Sequence, residues 1–384
     1  MAKNLEQLVQ KILESAGITI NGNNPWDIRV RDNRFYKRVL RGGKLAFAEA
    51  YMAGWWDTND TMSLHLFFEK ILRARVDEQA AQYLDLPTQL TLARVKLLDR
   101  FSNRQSTSKS RRVSKQHYDI GNELYQLMLD KRMVYSCADF EGMEDQRDLD
   151  QAHVNKLNES CREVGLEPDM NVVDVGCGFG GWLIYAAQNY RVRGAGITIS
   201  HEQANLAREL CKGLPIEIRV EDYRDLEGQY DVAVSFGMAE HVGRRNHRSF
   251  YQKISDCLIP GGKFFYRVIG KNTSEFTYDP FIDKWIFPGG ELLSLAQMIE
   301  PSEGIFKVIS VKNKGRNYNP TLICWDERFM GNWEEIKRLG NGKYDDSFKN
   351  GWHYYLSSSA SAFRVGNLQV YQIVFEKPGV FWGL

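Results

Sequence analysis

Two rhythms of apolar and polar positions divide the chain. Up to residue 99 the apolar residues recur at helical spacing. Leu5, Leu8, Val9, Ile12 and Leu13 share one face of a helix predicted over residues 4–16, which Gly17 ends. Short strands are expected in ITING and NNPWDIRV around an Asn-Gly turn. Helical spacing returns in FYKRVL, in LAFAEAYMAGWWD and through residues 62–99. The aromatic run Tyr51–Asp57 packs against the following domain or forms an apolar surface for lipid or a partner.

From residue 171 the rhythm changes. NVVDVG, RVRGAGITIS, IEIRVEDY, DVAVSFG and KFFYRVIG read as strands, and helical patterns follow the first, second and fourth of them. Such alternation predicts βαβ units, hence an α/β fold with a mostly parallel sheet covered on both faces. FKVISVKN and VYQIVFEK are expected to add edge strands.

Composition narrows the class. The 384 residues carry 50 Lys plus Arg against 49 Asp plus Glu, a formal charge of +1. That excludes a nucleic-acid binder working through a whole-protein positive field. Locally the balance fails. Between Arg94 and Lys115 eight cations face Asp99 alone, a local charge of +7 in a Ser-rich stretch read as an exposed basic linker. A cluster of that size can hold an anionic membrane surface. No apolar run is long enough to span a bilayer and no signal peptide is expected. Six scattered cysteines without a C-x-x-C pair predict neither a disulfide framework nor a metal site, and a reducing, cytoplasmic compartment.

Asp174-Val-Gly176-Cys-Gly178-Phe-Gly180-Gly181 follows a strand and opens a helix, so its glycines let backbone approach a ligand at a helix start. A dinucleotide site wants G-x-G-x-x-G and an acid at the end of the next strand. Here the loop is G-x-G-x-G and that strand ends in Gly196-Ile-Thr-Ile-Ser200, without a carboxylate. The pattern resembles the first motif of the S-adenosylmethionine-dependent methyltransferases. Thr198 and Gln203 sit where a ribose would lie, and Ser200 with Gln203 has capping-box spacing. Asp222 and Tyr223 end the third strand, where they meet an adenine or simply cap a helix.

Further motifs recur in a fixed order. They include Lys115-Gln-His-Tyr-Asp-Ile-Gly-Asn122, Val134-Tyr-Ser-Cys-Ala138, Asp222-Tyr-Arg-Asp-Leu226, Gly237-Met-Ala-Glu-His-Val-Gly243, Asp279-Pro-Phe-Ile, Ile286-Phe-Pro288 and Tyr354-Tyr-Leu356. Together they resemble the bacterial cyclopropane-fatty-acyl-phospholipid synthases over nearly the whole chain. The resemblance implies a Rossmann-like methyltransferase sheet with a smaller, mainly helical N-terminal domain. It implies transfer of a methylene group from S-adenosylmethionine to a cis double bond of a phospholipid acyl chain, closing a cyclopropane ring. Such a reaction needs in-line positioning, a dry site and a base beside the transferred methyl.

The family's base is a bound bicarbonate, and the resemblance carries its holders onto Cys137, Glu240, the backbone of Ile269 and Tyr318. Where the family has His, this chain has Arg267. Arg267 either grips an oxyanion with its planar fork or pairs directly with Glu240, which would shift the outcome to methylation without ring closure. By the same resemblance Tyr135, Ser136, Asp174, Gly176, Gly178, Gly180, Thr198, Gln203, Asp222 and Tyr223 bind the cofactor. His241 faces adenine or substrate, and His117 and Tyr118 form a lid. The implied organisation is a lipid-docking and dimerisation domain over 1–92, a basic linker over 93–116 and a catalytic domain over 117–384. Arg244, Arg245 and Arg248 assist docking. The enzyme is expected to be a homodimer, peripheral on anionic phospholipid at the inner face of the cell membrane.

Three other classes stay open. A nicotinamide-dependent dehydrogenase is disfavoured by the loop spacing. A membrane-associated binding protein without catalysis rests on Arg267 alone. A small-molecule or protein methyltransferase fits poorly with the long N-terminal extension.

Overall fold

The computed structural model describes residues 2–80, 120–275 and 278–379. The basic stretch 94–115 and the pair His117 and Tyr118 lie outside the described residues. The chain forms two compact units. One comprises Met1–Ser102, Glu275–Pro288 and Asn319–Asn367; the other comprises Asn103–Ser274, Gly289–Tyr318 and Leu368–Leu384. The N-terminal unit is therefore not the contiguous stretch 1–92, because two later segments complete it.

The reason lies in aromatic packing. The helix Asp346–Arg364 lies against the helices Arg34–Met52 and Leu64–Arg73. Tyr354 meets Tyr51 at 5.7 Å and Phe68 at 4.8 Å between ring centroids. Trp56, 1% exposed, packs on Phe47 at 4.3 Å. The buried aromatics of the Tyr51–Asp57 run are thus core, and only Trp55 keeps part of its surface, beneath Arg34 at 4.6 Å. FYKRVL and LAFAEAYM fall on one helix that bends where Gly43 takes φ 55°. Two short strands, β1 (Ile28–Val30) and β2 (Trp56–Thr58), pair antiparallel.

A buried polar pin crosses this unit. His353 Nδ1 lies 2.7 Å from Asp326 Oδ1 and its Nε2 lies 2.9 Å from the Thr61 carbonyl. Ser357 Oγ donates to the other Asp326 oxygen at 3.1 Å. Burial alone would lower the imidazole's pKa, but the Asp326 charge and hydrogen bond raise it above its ordinary value. A raised folded-state pKa gives stability that is full below the unfolded value of about 6.5 and is lost as pH rises through the folded value. Urea unfolding between about pH 6 and pH 8 should show falling stability. Asp326→Asn should flatten that slope and cost about 3 kcal/mol at the acid end, since it strips a buried pair of one partner.

The second unit is built on an eight-stranded sheet. Its strands are β3 (Asn171–Val175), β4 (Arg193–Thr198), β5 (Ile216–Val220), β6 (Tyr230–Phe236), β7 (Leu258–Lys271), β8 (Leu293–Ser294), β9 (Lys307–Asn313) and β10 (Leu368–Glu376). The order is β5-β4-β3-β6-β7-β10-β9, with β8 paired to β7. The first five pair parallel, and β10 runs antiparallel to both β7 and β9. Only β9 of the two added strands is an edge. VYQIVFEK is internal, because most of its residues on both faces are buried. Helices Gly181–Tyr190 and His201–Leu210 cross between the parallel strands. The order reverses at β3, so the carboxyl ends of β3 and β6 open a crevice where a ligand binds in such sheets.

Candidate active site

That crevice is a cavity lined by the ends of β3, β4 and β6 and by residues 133–136. The glycine loop forms its floor. Gly176 takes φ 89°, and a Cβ there would lie 2.7 Å from Met238. The amides of Gly176 and Cys177 both bond the Ile197 carbonyl at 3.0 Å, fixing the loop to β4. Gly176 and Gly178 line the cavity, whereas Gly180 does not and instead stands at the start of the helix Gly181–Tyr190.

The other expected cofactor residues converge here. Tyr135, Ser136, Asp174, Thr198, Gln203, Asp222, Tyr223 and His241 all line the cavity. Thr198 Oγ1 donates to Gln203 Oε1 at 3.1 Å, and Ser200 Oγ accepts from the Gln203 amide at 3.2 Å, so the capping role is real as well. Asp222 likewise caps Arg224 N at 3.0 Å and pairs with its guanidinium at 2.8 Å. Burial lifts the Asp174 carboxyl to about 7 against the opposing charge of Lys156, and Asp174 Oδ1 has no hydrogen-bond partner. Burial pushes His241 down to about 4, which keeps it neutral.

A second, buried cluster gathers around the β7 residues Arg267 and Ile269. The Ile269 amide donates to Glu240 Oε1 at 2.7 Å. Arg267 is 3% exposed and donates from Nη2 to the Ala138 carbonyl at 3.3 Å. Cys137 precedes that carbonyl, and burial raises its thiol while the Arg267 charge acts the other way. Burial lifts Glu240 to about 7, opposed by the Ile269 hydrogen bond. Tyr318 opens the helix Tyr318–Gly331. The turn before it is tied to the Cys137 segment, since Asn317 Oδ1 accepts from Phe140 N at 2.8 Å. Lys314 anchors the same turn through Asp139 at 2.9 Å and Glu159 at 3.0 Å.

The cluster is rich in unsatisfied groups. Arg267 Nε and Nη1, Glu240 Oε2 and both amide atoms of Gln372 are buried without a hydrogen-bond partner among the described residues. Gln372 stands opposite Arg267 in the β7–β10 ladder. Among the described residues Arg267 and Glu240 form no ion pair within 4.0 Å. Direct pairing of the two, one of the alternatives left open by the sequence, is therefore not what the side chains do. Buried donors and acceptors of this kind are costly unless a polar occupant satisfies them.

Sequence reasoning missed Lys156, Lys314 and Gln372. Lys156 had a visible signal, as a lysine on the apolar stripe of the helix Leu149–Val164 beside Ala152, Leu157 and Ser160. Two of the arginines assigned to docking are used inside the fold. Arg244 pairs with Glu291 at 3.3 Å, and Arg248 bonds the Glu303 carbonyl at 3.0 Å.

Comparison with known proteins agrees with this geometry. A family model described as mycolic acid cyclopropane synthetase matches residues 105–373. The cyclopropane-fatty-acyl-phospholipid synthase of Escherichia coli K12 is 40% identical over 99% of this chain and 95% of its own length. The tuberculostearic acid methyltransferase UfaA1 of Mycobacterium tuberculosis is 31% identical over 91% of this chain and 82% of its own. The crystal structure of the mycolic acid cyclopropane synthase CmaA1 complexed with SAH and CTAB superposes with a TM-score of 0.65 at 26% identity, covering 70% of this chain and 98% of that one. The described sheet, the cavity at its switch point and these matches make one assignment: the chain belongs to the mycolic acid cyclopropane synthetase family.

Proposed function

We propose that this chain is an S-adenosylmethionine-dependent enzyme that adds a methylene group across the cis double bond of an unsaturated phospholipid acyl chain. The observation that carries the reading is the adjacency of the glycine-loop cavity and the unsatisfied β7 cluster. Ser136 lines the first and Cys137 belongs to the second. Phe236 lines the cavity and pairs with Arg267 in the β6–β7 ladder. Glu240 sits between the cavity residues Met238 and His241.

When bound, S-adenosylmethionine would supply an electrophilic methyl group: the alkene would take it as the methyl–sulfur bond breaks and S-adenosylhomocysteine leaves, and one proton lost from that methyl to the base would close the ring. The chain's residues meet the demands of that chemistry. The glycine loop, Asp174, Ser136 and Tyr135 hold the methionine portion, and Thr198, Gln203, Asp222 and Tyr223 take the ribose and adenine. The unsatisfied groups of Arg267 and Glu240 fit a small oxyanion, and bicarbonate held there supplies a base. Arg267 offers it the N–H groups of Nε and Nη1, and Glu240 Oε2 accepts or shares its proton. Burial keeps water from the developing cation. Label from methyl-labelled S-adenosylmethionine should enter vesicles of an unsaturated phospholipid, and stripping bicarbonate from the buffer should slow it reversibly. No label in lipid overturns the reading.

The same reading puts the N-terminal unit and the +7 stretch at an anionic membrane surface of the cytoplasmic face, as a homodimer. Among the described residues no helix is long and apolar enough to cross a membrane. Flotation with anionic vesicles should weaken as salt rises, since the screening length falls from about 10 Å at 0.1 M to about 3 Å at 1 M. Charge-neutralising the cations of 104–115 should weaken it further. Sedimentation at micromolar concentration checks the dimer.

A further inference from the structure

Lys156 is 1% exposed, on the buried face of the helix Leu149–Val164. A buried ammonium is costly unless its donors are used. It has three donors, and Nζ donates one to Ser136 Oγ. The Phe236 ring lies 4.9 Å from Nζ. No carboxylate lies within 4.0 Å of it among the described residues. Yet the side chain lines the glycine-loop cavity. Burial, and then the Arg267 charge, push its amine down to about 7, while Cys137, Asp130 and Asp174 in turn pull it back up.

The amino-acid end of S-adenosylmethionine is a zwitterion, so a site for it needs one anion and one cation. Among the described residues, three acids line the cavity: Asp174, Glu221 and Asp222. Asp222 is engaged by Arg224 at 2.8 Å, and Glu221 lies 3.9 Å from Arg219. Asp174 is left with Oδ1 unpartnered, and Lys156 with donors to spare. Among the described residues lining the cavity, these two are the opposite charges left available.

We propose that Lys156 binds the carboxylate of the cofactor's methionine portion, orienting Ser136 with the same ammonium and leaving Asp174 for the cofactor's own ammonium. This rests on the reading of the cavity as the cofactor site. It gives the binding of the amino-acid end a cation from the helix Leu149–Val164, which carries none of the motifs that single out the site.

The test compares two ligands by calorimetry. S-adenosylhomocysteine carries the amino-acid end, and 5′-methylthioadenosine lacks it. Lys156→Met should weaken S-adenosylhomocysteine by about 10- to 100-fold and leave 5′-methylthioadenosine nearly unchanged. Lys156→Gln, which keeps an N–H donor without the charge, should act in the same direction. Equal weakening of both ligands, or no change in either, overturns the proposal. Should neither variant fold, the wild-type chain is titrated with the carboxamide of S-adenosylhomocysteine. That analogue should bind about 10- to 100-fold more weakly than the acid, and equal affinity overturns the proposal. Asp222→Ala separates the two layers of the argument. It should weaken both nucleosides; if it changes neither, the cavity reading itself fails.

Discussion

Replacing Glu240 with glutamine lowers kcat by about 10²- to 10⁴-fold and leaves the affinity for S-adenosylhomocysteine unchanged. The substitution keeps the shape and keeps an acceptor for the Ile269 amide, 2.7 Å away. What it removes is the second carboxylate oxygen, Oε2, which no group among the described residues satisfies. Glutamine can neither take nor share a proton there. The fold should tolerate the change, because a buried neutral amide of the same shape costs less than a buried carboxylate charge. Steady-state turnover on vesicles, paired with calorimetry, checks both halves. Full turnover by Glu240→Gln would place the base elsewhere.

Gly176→Ala should damage the other half of the site. The backbone there has φ 89°, a conformation costing a residue with a Cβ about 1–2 kcal/mol. The new methyl would also lie 2.7 Å from the Met238 side chain, and crowding of this kind costs about 1–3 kcal/mol. Either the loop shifts away from β4, to which its amides are bonded, or Met238 is driven into the cavity. Both outcomes weaken S-adenosylhomocysteine. A loss of about 2 kcal/mol would appear as about 30-fold in Kd. Unaltered affinity with unaltered thermal stability would remove the loop from the cofactor's path.

How far these features could be read from the chain depends on their range. The parallel core was legible because β3, β4 and β6 are mostly buried and read as short apolar runs, while the edge strand β5 shows alternation instead. The glycine loop was legible because its conformation demands its residue types locally. The make-up of the N-terminal unit was not. Tyr354 joins Tyr51 and Phe68 across some 300 positions, and no local period announces that. The place of β10 was obscured similarly, since an apolar strand does not state its neighbours. At the β7 cluster the motif order brought Cys137, Glu240 and Arg267 into view. Gln372 stayed hidden, because its meaning comes only from standing opposite Arg267. Lys156 could have been found, as a lysine where the helix turns its apolar face inward.

The central claim is ring closure, and the fate of the transferred methyl tests it most directly. The enzyme is given S-adenosylmethionine with a fully deuterated methyl group and vesicles of a phospholipid bearing one cis double bond. Fatty acids are then released and analysed by mass spectrometry and by proton NMR. Ring closure removes one deuteron to the base and leaves two on a new ring carbon, with no double bond anywhere in the chain. A product that keeps all three deuterons, or that still carries a double bond, would show methylation without ring closure and contradict the account.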